Sequence, residues 1–280
     1  MYTCYNQKII ETPTYIEIWE YEQPIYSKRS KTEEAKKKKL EWLEDKTIRK
    51  KFDELSAQGQ YDSLKRKQKH YKTKRFDIAR LIDTNFDKQT KFLTLTFKEN
   101  IEDIEYTNSE FKKFIKRLNY QLYKTKKAHI RYLATWEKQK RGAIHYHIIL
   151  FHFPYVPHKQ LLSTWGHGAV RINKIDVDSI ENRGRYISKY FDKELELKEH
   201  KKKAFFKSQN LRLPKEIKKQ TDKPYNVSNQ KVLVTKEYTK RAPFFFREWN
   251  LYEVTEPILM FEESKVRYTK IKKTGGDSHE

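Results

Sequence analysis

The stretch KFLTLTF, Lys91 to Phe97, alternates Phe92, Thr94 and Thr96 with Leu93, Leu95 and Phe97, the period of two expected of a strand whose faces meet different surroundings. In the segment TNSEFKKFIKRLNYQLYK the period lengthens. Phe111, Phe114, Ile115, Leu118 and Leu122 make one apolar stripe at helical spacing, with Thr107, Asn108 or Ser109 as the expected N-cap. AHIRYLATWE and AIHYHIILF read as two strands joined by a tight basic loop, PHKQLLSTW as a short helix, GHGAVRINKI as a strand and DSIENRGRYISKYFDKELELK as a further helix.

The order β, α, β, β, α, β, α over residues 91–197 predicts an α+β fold: an antiparallel sheet with helices on one face, in the ferredoxin-like or RRM-like manner. Before it, alternation of Tyr15, Glu17 and Trp19 with Ile16 and Ile18 predicts a strand or hairpin broken at Pro24. Residues 31–81 read as basic helix interrupted near Gly59. After His200 the patterns weaken into loops and strands expected to decorate the main domain, and KKTGGDSHE reads as a disordered tail.

Charge narrows the partner. The chain has 280 residues with 61 Lys plus Arg against 38 Asp plus Glu, a net charge of +23. That excess exceeds what solubility needs and points to a polyanion, nucleic acid first. A membrane surface is disfavoured, because there is no long uncharged apolar run and no basic amphipathic helix with a bulky apolar face. Aromatic residues make up 14% of the chain and interleave with basic ones, a mixture that suits single strands whose bases can lie on rings. The one cysteine excludes an internal disulfide framework or cysteine zinc site, and with no secretory pattern at the start the expected compartment is a reducing cytosol.

GAIHYHIILF sets two histidines into an otherwise apolar strand. His145 and His147, two apart, face the same side, while Tyr146 points into the packing beneath the sheet. If Lys140, Arg141 and Gly142 form a three-residue hairpin with Gly142 left-handed, Gln139 pairs with Ala143 and Glu137 falls opposite His145. Paired residues have Cβ atoms roughly 5 Å apart, close enough for two imidazoles and a carboxylate to share a metal ion. Ligand type alone would accept Zn²⁺, Mn²⁺ or Mg²⁺. The blander reading, hydrogen-bonded strand histidines, loses ground once the carboxylate falls in register. His152, His158 and His167 are out of register and read as surface or supporting groups.

RYISKYFDKE places Tyr186 and Tyr190 four apart on one helix face, with Lys189 between. Such tyrosines are usually packing residues. Beside a metal site on a basic chain, a tyrosine hydroxyl becomes a candidate nucleophile toward a phosphodiester, and Lys189 a group to hold the phosphate.

Together, FLTLTF, the carboxylate followed by HYH, and YISKY resemble, in order and rough spacing, the three motifs of HUH endonucleases, specifically rolling-circle replication initiators of plasmids and small phages with a Tyr-x-x-Lys-Tyr motif. The resemblance covers about residues 84–197. It implies a site-specific, metal-dependent nickase and strand transferase that joins a tyrosine to the 5′ phosphate and frees a 3′ hydroxyl. His145, His147 and Glu137 would be ligands to Mg²⁺ or Mn²⁺, and Tyr186 and Tyr190 the nucleophile candidates. No phosphate-loop motif is present, so a host helicase and host replication proteins are expected partners. The expected division is residues 1–83, a strand or hairpin with basic helices that contact origin DNA; 84–200, the endonuclease core; and 201–280, an extension. Two other readings stand beside this one: a relaxase or transposase with the same chemistry, and a non-catalytic nucleic-acid binder with an RRM-like sheet.

Overall fold

The β-α-β-β-α-β array is realised between Lys91 and Lys174. The structure is a computed structural model, which describes residues 2–28, 52–139, 141–175, 205–246 and 258–273. Strand β3 (Lys91–Thr96) leads to helix α2 (Ile104–Tyr123), then to β4 (Arg131–Lys138), β5 (Ile144–Phe151), helix α3 (His158–Trp165) and β6 (Val170–Lys174). A two-residue strand, β7 (Phe206–Lys207), extends the sheet to the order β6-β3-β5-β4-β7. Its first four members are antiparallel neighbours in the ferredoxin-like order, fourth, first, third, second. The fold is α+β, as the alternation of patterns predicts.

One face of this sheet holds the main core. Leu93, Leu95, Ile144, Tyr146, Ile148 and Leu150 are fully buried there against Phe111, Phe114 and Leu118 of α2 and Leu161 and Trp165 of α3. Trp165 is anchored by its indole N–H, which donates to the Thr96 carbonyl at 3.0 Å, and Arg117 donates to the Thr164 carbonyl at 3.1 and 3.0 Å, tying the two helices. Helix α2 begins a turn earlier than the expected cap. Asp103 is the N-cap, its carboxylate accepting from the Glu105 and Tyr106 amides, while Thr107 lies inside the helix, fully buried. Ile104 explains the difference: it extends the apolar stripe one turn upstream, and a cap at Asp103 lets the helix bury it.

The basic segment contributes helix α1 (Ala57–Asn85). Gly59 does not interrupt it but lies in the first turn, its amide bonded to Ser56 Oγ at 3.2 Å. The C-terminal half is apolar on one side, and Ile78 and Ile82 pack with Leu133, Ile149, Phe151 and Leu211 on the second sheet face. Thus α2 and α3 share one face and α1 covers part of the other. Residues 29–51 of the expected basic helix lie outside the described residues.

Contacts divide the chain into two compact units, residues 61–213 and residues 1–60 with 214–280. The second unit is a five-stranded antiparallel sheet of its own. Strands β1 (Tyr2–Glu11), β2 (Tyr15–Lys28), β8 (Lys215–Lys219), β9 (Lys231–Phe246) and β10 (Ile258–Lys272) stand in the order β8-β1-β2-β10-β9. Pro24 does not end β2. It falls among the residues skipped between the pairs Tyr5↔Ile25 and Gln7↔Glu20, a bulge where the missing N–H costs no ladder bond. No described helix is long and apolar enough to cross a membrane.

Candidate functional site

The loop between β4 and β5 closes as its glycine requires. Gly142 has φ +91, its amide bonds the Gln139 carbonyl at 2.9 Å, and the Gln139 amide bonds the Ala143 carbonyl at 2.8 Å. From there the register runs Glu137↔His145, Thr135↔His147 and Leu133↔Ile149. On the other side of β5, Thr96 pairs with His145 and Thr94 with His147. The face turned away from α2 and α3 therefore carries His145 and His147 in the middle, Glu137 and Thr135 on one side, and Thr94 and Thr96 on the other.

His147 is held from three directions. Its Nε2–H donates to Glu137 Oε1 at 2.9 Å, Thr94 Oγ1 lies 3.4 Å from Nδ1, and the Phe92 ring stacks on it with centroids 5.7 Å apart. His145 is different. It is buried, 9% exposed, and its Nε2 has no hydrogen-bond partner. Burial is the main cause that holds its imidazole below the ordinary histidine pKa; Glu137 opposes the shift, and His147 and Arg141 add to it. A neutral imidazole with a free nitrogen is the form that ligates metals, whereas an orphaned buried nitrogen that binds nothing costs free energy.

The ring centroids of His145 and His147 are 6.5 Å apart. Glu137 sits on His147 rather than between the two, and among the described residues no group of three His, Cys, Asp or Glu side chains is arranged to hold a metal ion. Tyr146, on the opposite side of the strand, is fully buried, stacks on Phe111 at 4.8 Å and donates its hydroxyl to Asn108 Oδ1 at 2.7 Å.

The remaining histidines named from the sequence are tied elsewhere. His152 meets Asp87 at 3.1 Å, His158 Nε2–H donates to the Val170 carbonyl at 2.8 Å, and His167 Nε2–H donates to Glu110 Oε2 at 2.9 Å. Tyr186, Lys189 and Tyr190 fall within residues 176–204, outside the described residues. Thr94, Thr96 and Phe92 were not singled out from the sequence as part of this face. The signal was present: they are the alternate positions of FLTLTF opposite the buried Leu93 and Leu95.

Residues 90–195 match a family model of replication-associated proteins, described by its ORF2 members. The matched span contains β3 to β6, the Glu137, His145 and His147 face, and the segment bearing Tyr186, Lys189 and Tyr190. No curated protein and no solved structure matches the chain. The family match supports a replication initiator, and with it a DNA partner, in agreement with the net charge of +23.

Proposed function

We propose that the protein is a rolling-circle replication initiator of the HUH type, which nicks one strand of its origin and later rejoins it. The observation that carries this reading is the register that puts Glu137 opposite His145 and within 2.9 Å of His147 on one sheet face. A divalent cation, Mg²⁺ or Mn²⁺, fits this donor set. The unpartnered His145 nitrogen is a ready ligand, and the Glu137 carboxylate, partly exposed, already meets the His147 ring. His145, His147 and Glu137 would hold the ion, which when bound polarises a phosphate and offsets its charge.

In this reading, the hydroxyl oxygen of Tyr186 or Tyr190 attacks the scissile phosphorus and the bond to the 3′ oxygen breaks. The tyrosine proton is lost, the leaving oxygen takes one up, and the strand remains as a 5′ phosphotyrosine with a free 3′ hydroxyl. Attack by that or another 3′ hydroxyl reverses the step and releases the tyrosine. Lys189 would hold the phosphate at the nucleophile. The threonines beside the imidazoles keep the site polar, and Thr94 and Phe92 fix the His147 ring. Unwinding is left to a host helicase.

The test is incubation of the protein with Mn²⁺ and supercoiled plasmid carrying its native origin. The expected products are an open circle and a protein–DNA adduct on a denaturing gel, both lost when Tyr186 and Tyr190 are changed to Phe. Nicking that persists in that double variant would overturn the mechanism. An unchanged plasmid, with the DNA merely bound, would leave a non-catalytic binder.

A further inference from the structure

The sheet of residues 1–60 and 214–280 is asymmetric. On one face Ile9, Ile18 and Ile271 are buried beneath Tyr225 and Val227 of the 220–230 segment. Across the other, directly paired residues form a continuous row over all five strands: Lys218↔Lys8, Lys8↔Trp19, Trp19↔Tyr268 and Tyr268↔Lys236. With neighbouring strands about 4.8 Å apart, the row spans roughly 19 Å. Two aromatic rings thus occupy its centre and lysines its ends.

The rings are paired and accessible in part. Trp19 and Tyr268 have centroids 5.0 Å apart and are half-buried. On the adjacent rung Val266 pairs with both Tyr21 and Tyr238, and Tyr238 is 47% exposed. Lys8 lies 5.7 Å from the Trp19 ring centroid. Cross-strand aromatics commonly do no more than stabilise a sheet. Here the apolar core lies on the opposite face, and the lysines turn this one toward an anion.

We propose that the row from Lys218 to Lys236 is a single-stranded DNA platform, with two successive bases stacked on Trp19 and Tyr268 and phosphates held by the flanking lysines. Aromatic rings flanked by cations bind bases regardless of sequence, whereas duplex DNA hides its base faces. This function is separate from the nicking site and does not depend on it. Glu216 moderates it: its carboxylate bridges Lys218 at 2.7 Å and Lys8 at 3.5 Å, and those lysines hold the Glu216 carboxyl below its ordinary pKa.

The test uses the full chain carrying Tyr186→Phe and Tyr190→Phe, so that no transesterification adduct enters the readout. It is photo-crosslinked to oligo(dT) of about 15 nucleotides bearing 5-iodouracil, and the adducts are mapped by mass spectrometry. Adducts on the strands bearing Trp19, Tyr268 and Tyr238 are expected. Adducts confined to residues 61–213, or none, would overturn the proposal. Trp19→Leu should raise the oligonucleotide concentration for half-maximal adduct on the Tyr268 strand roughly tenfold, the loss of one stacked base. Because removing an aromatic can disturb the sheet, Glu216→Gln supplies the opposite arm. Freeing both lysines should lower that concentration about threefold at low salt; an unchanged or higher value would count against the platform. Displacement of oligo(dT) by oligo(rU) at equal or lower concentration would refute the assignment to DNA.

Discussion

Replacing His145 with leucine separates a metal ligand from a strand histidine by stability alone. In the free protein the His145 Nε2 is buried without a partner, an arrangement worth about 1–3 kcal/mol of penalty. An apolar side chain of similar size removes that penalty while giving up the ring's contacts, so His145→Leu without metal should lie within about 1 kcal/mol of the parent or above it. With Mn²⁺ the outcome changes. A cation at about a hundred times its Kd stabilises the native state by about 2.7 kcal/mol, which for a unit of this size corresponds to a Tm increase of about 5–10 °C. The assay is thermal unfolding followed by circular dichroism, parent against variant, with a chelator and then with increasing MnCl2. The parent should gain the full shift and the variant little of it. Equal shifts in both would show that the cation binds elsewhere, and a variant several kcal/mol less stable without metal would show that the imidazole has a structural role that its unpartnered nitrogen does not reveal.

Three other outcomes follow from the same coordinates. Tyr146→Phe removes a buried hydroxyl bonded to Asn108 at 2.7 Å and should cost about 1–2 kcal/mol in urea unfolding while leaving the Mn²⁺ shift intact, because the ring faces α2; a lost shift would break the assignment of faces. Gly142→Ala would put a Cβ at φ +91 within 2.7 Å of Glu102 Cδ and should destabilise by about 1–3 kcal/mol, with weakened Mn²⁺ binding as the hairpin register loosens; a neutral substitution would mean the turn relaxes freely. The Glu110 carboxyl is held below its ordinary value, chiefly by the hydrogen bond from Lys113 and also by His167, against a smaller opposing effect of burial. Its contribution to stability is therefore present above the carboxylate's unfolded pKa, about 4.3, and lost as pH falls through the depressed folded value. The urea midpoint of Glu110→Gln should accordingly lie below the parent's at neutral pH and converge on it in acid, and a gap that stays constant with pH would contradict this.

What could be read from the chain follows the range over which each interaction is determined. The hairpin between β4 and β5 has its partners within a few residues, and a left-handed glycine at Gly142 leaves one register, so Glu137 opposite His145 follows from sequence. The single stripe of Phe111, Phe114 and Leu118 likewise fixes the side of α2 that meets the sheet. Start signals are weaker: Asp103 and Thr107 are both competent caps, and the choice is settled by burial of Ile104, a tertiary effect.

The pairing of β2 with β10 has no such local determinant. Tyr268 and Trp19 are neighbours only because strands far apart in the chain choose each other, and a pattern of period two is satisfied by any partner of the right polarity. The same holds for α1. Ile78 and Ile82 mark an apolar side, yet nothing in their spacing says that it will cover the far end of the histidine face. The two surfaces given a DNA role thus differ in kind: one is legible because a tight turn assembles it, and the other arises only when the sheet has joined five strands. A change that disrupts β9 or β10 should therefore abolish the aromatic row without altering the hairpin that holds Glu137 and the two histidines, since no residue of that hairpin pairs with either strand.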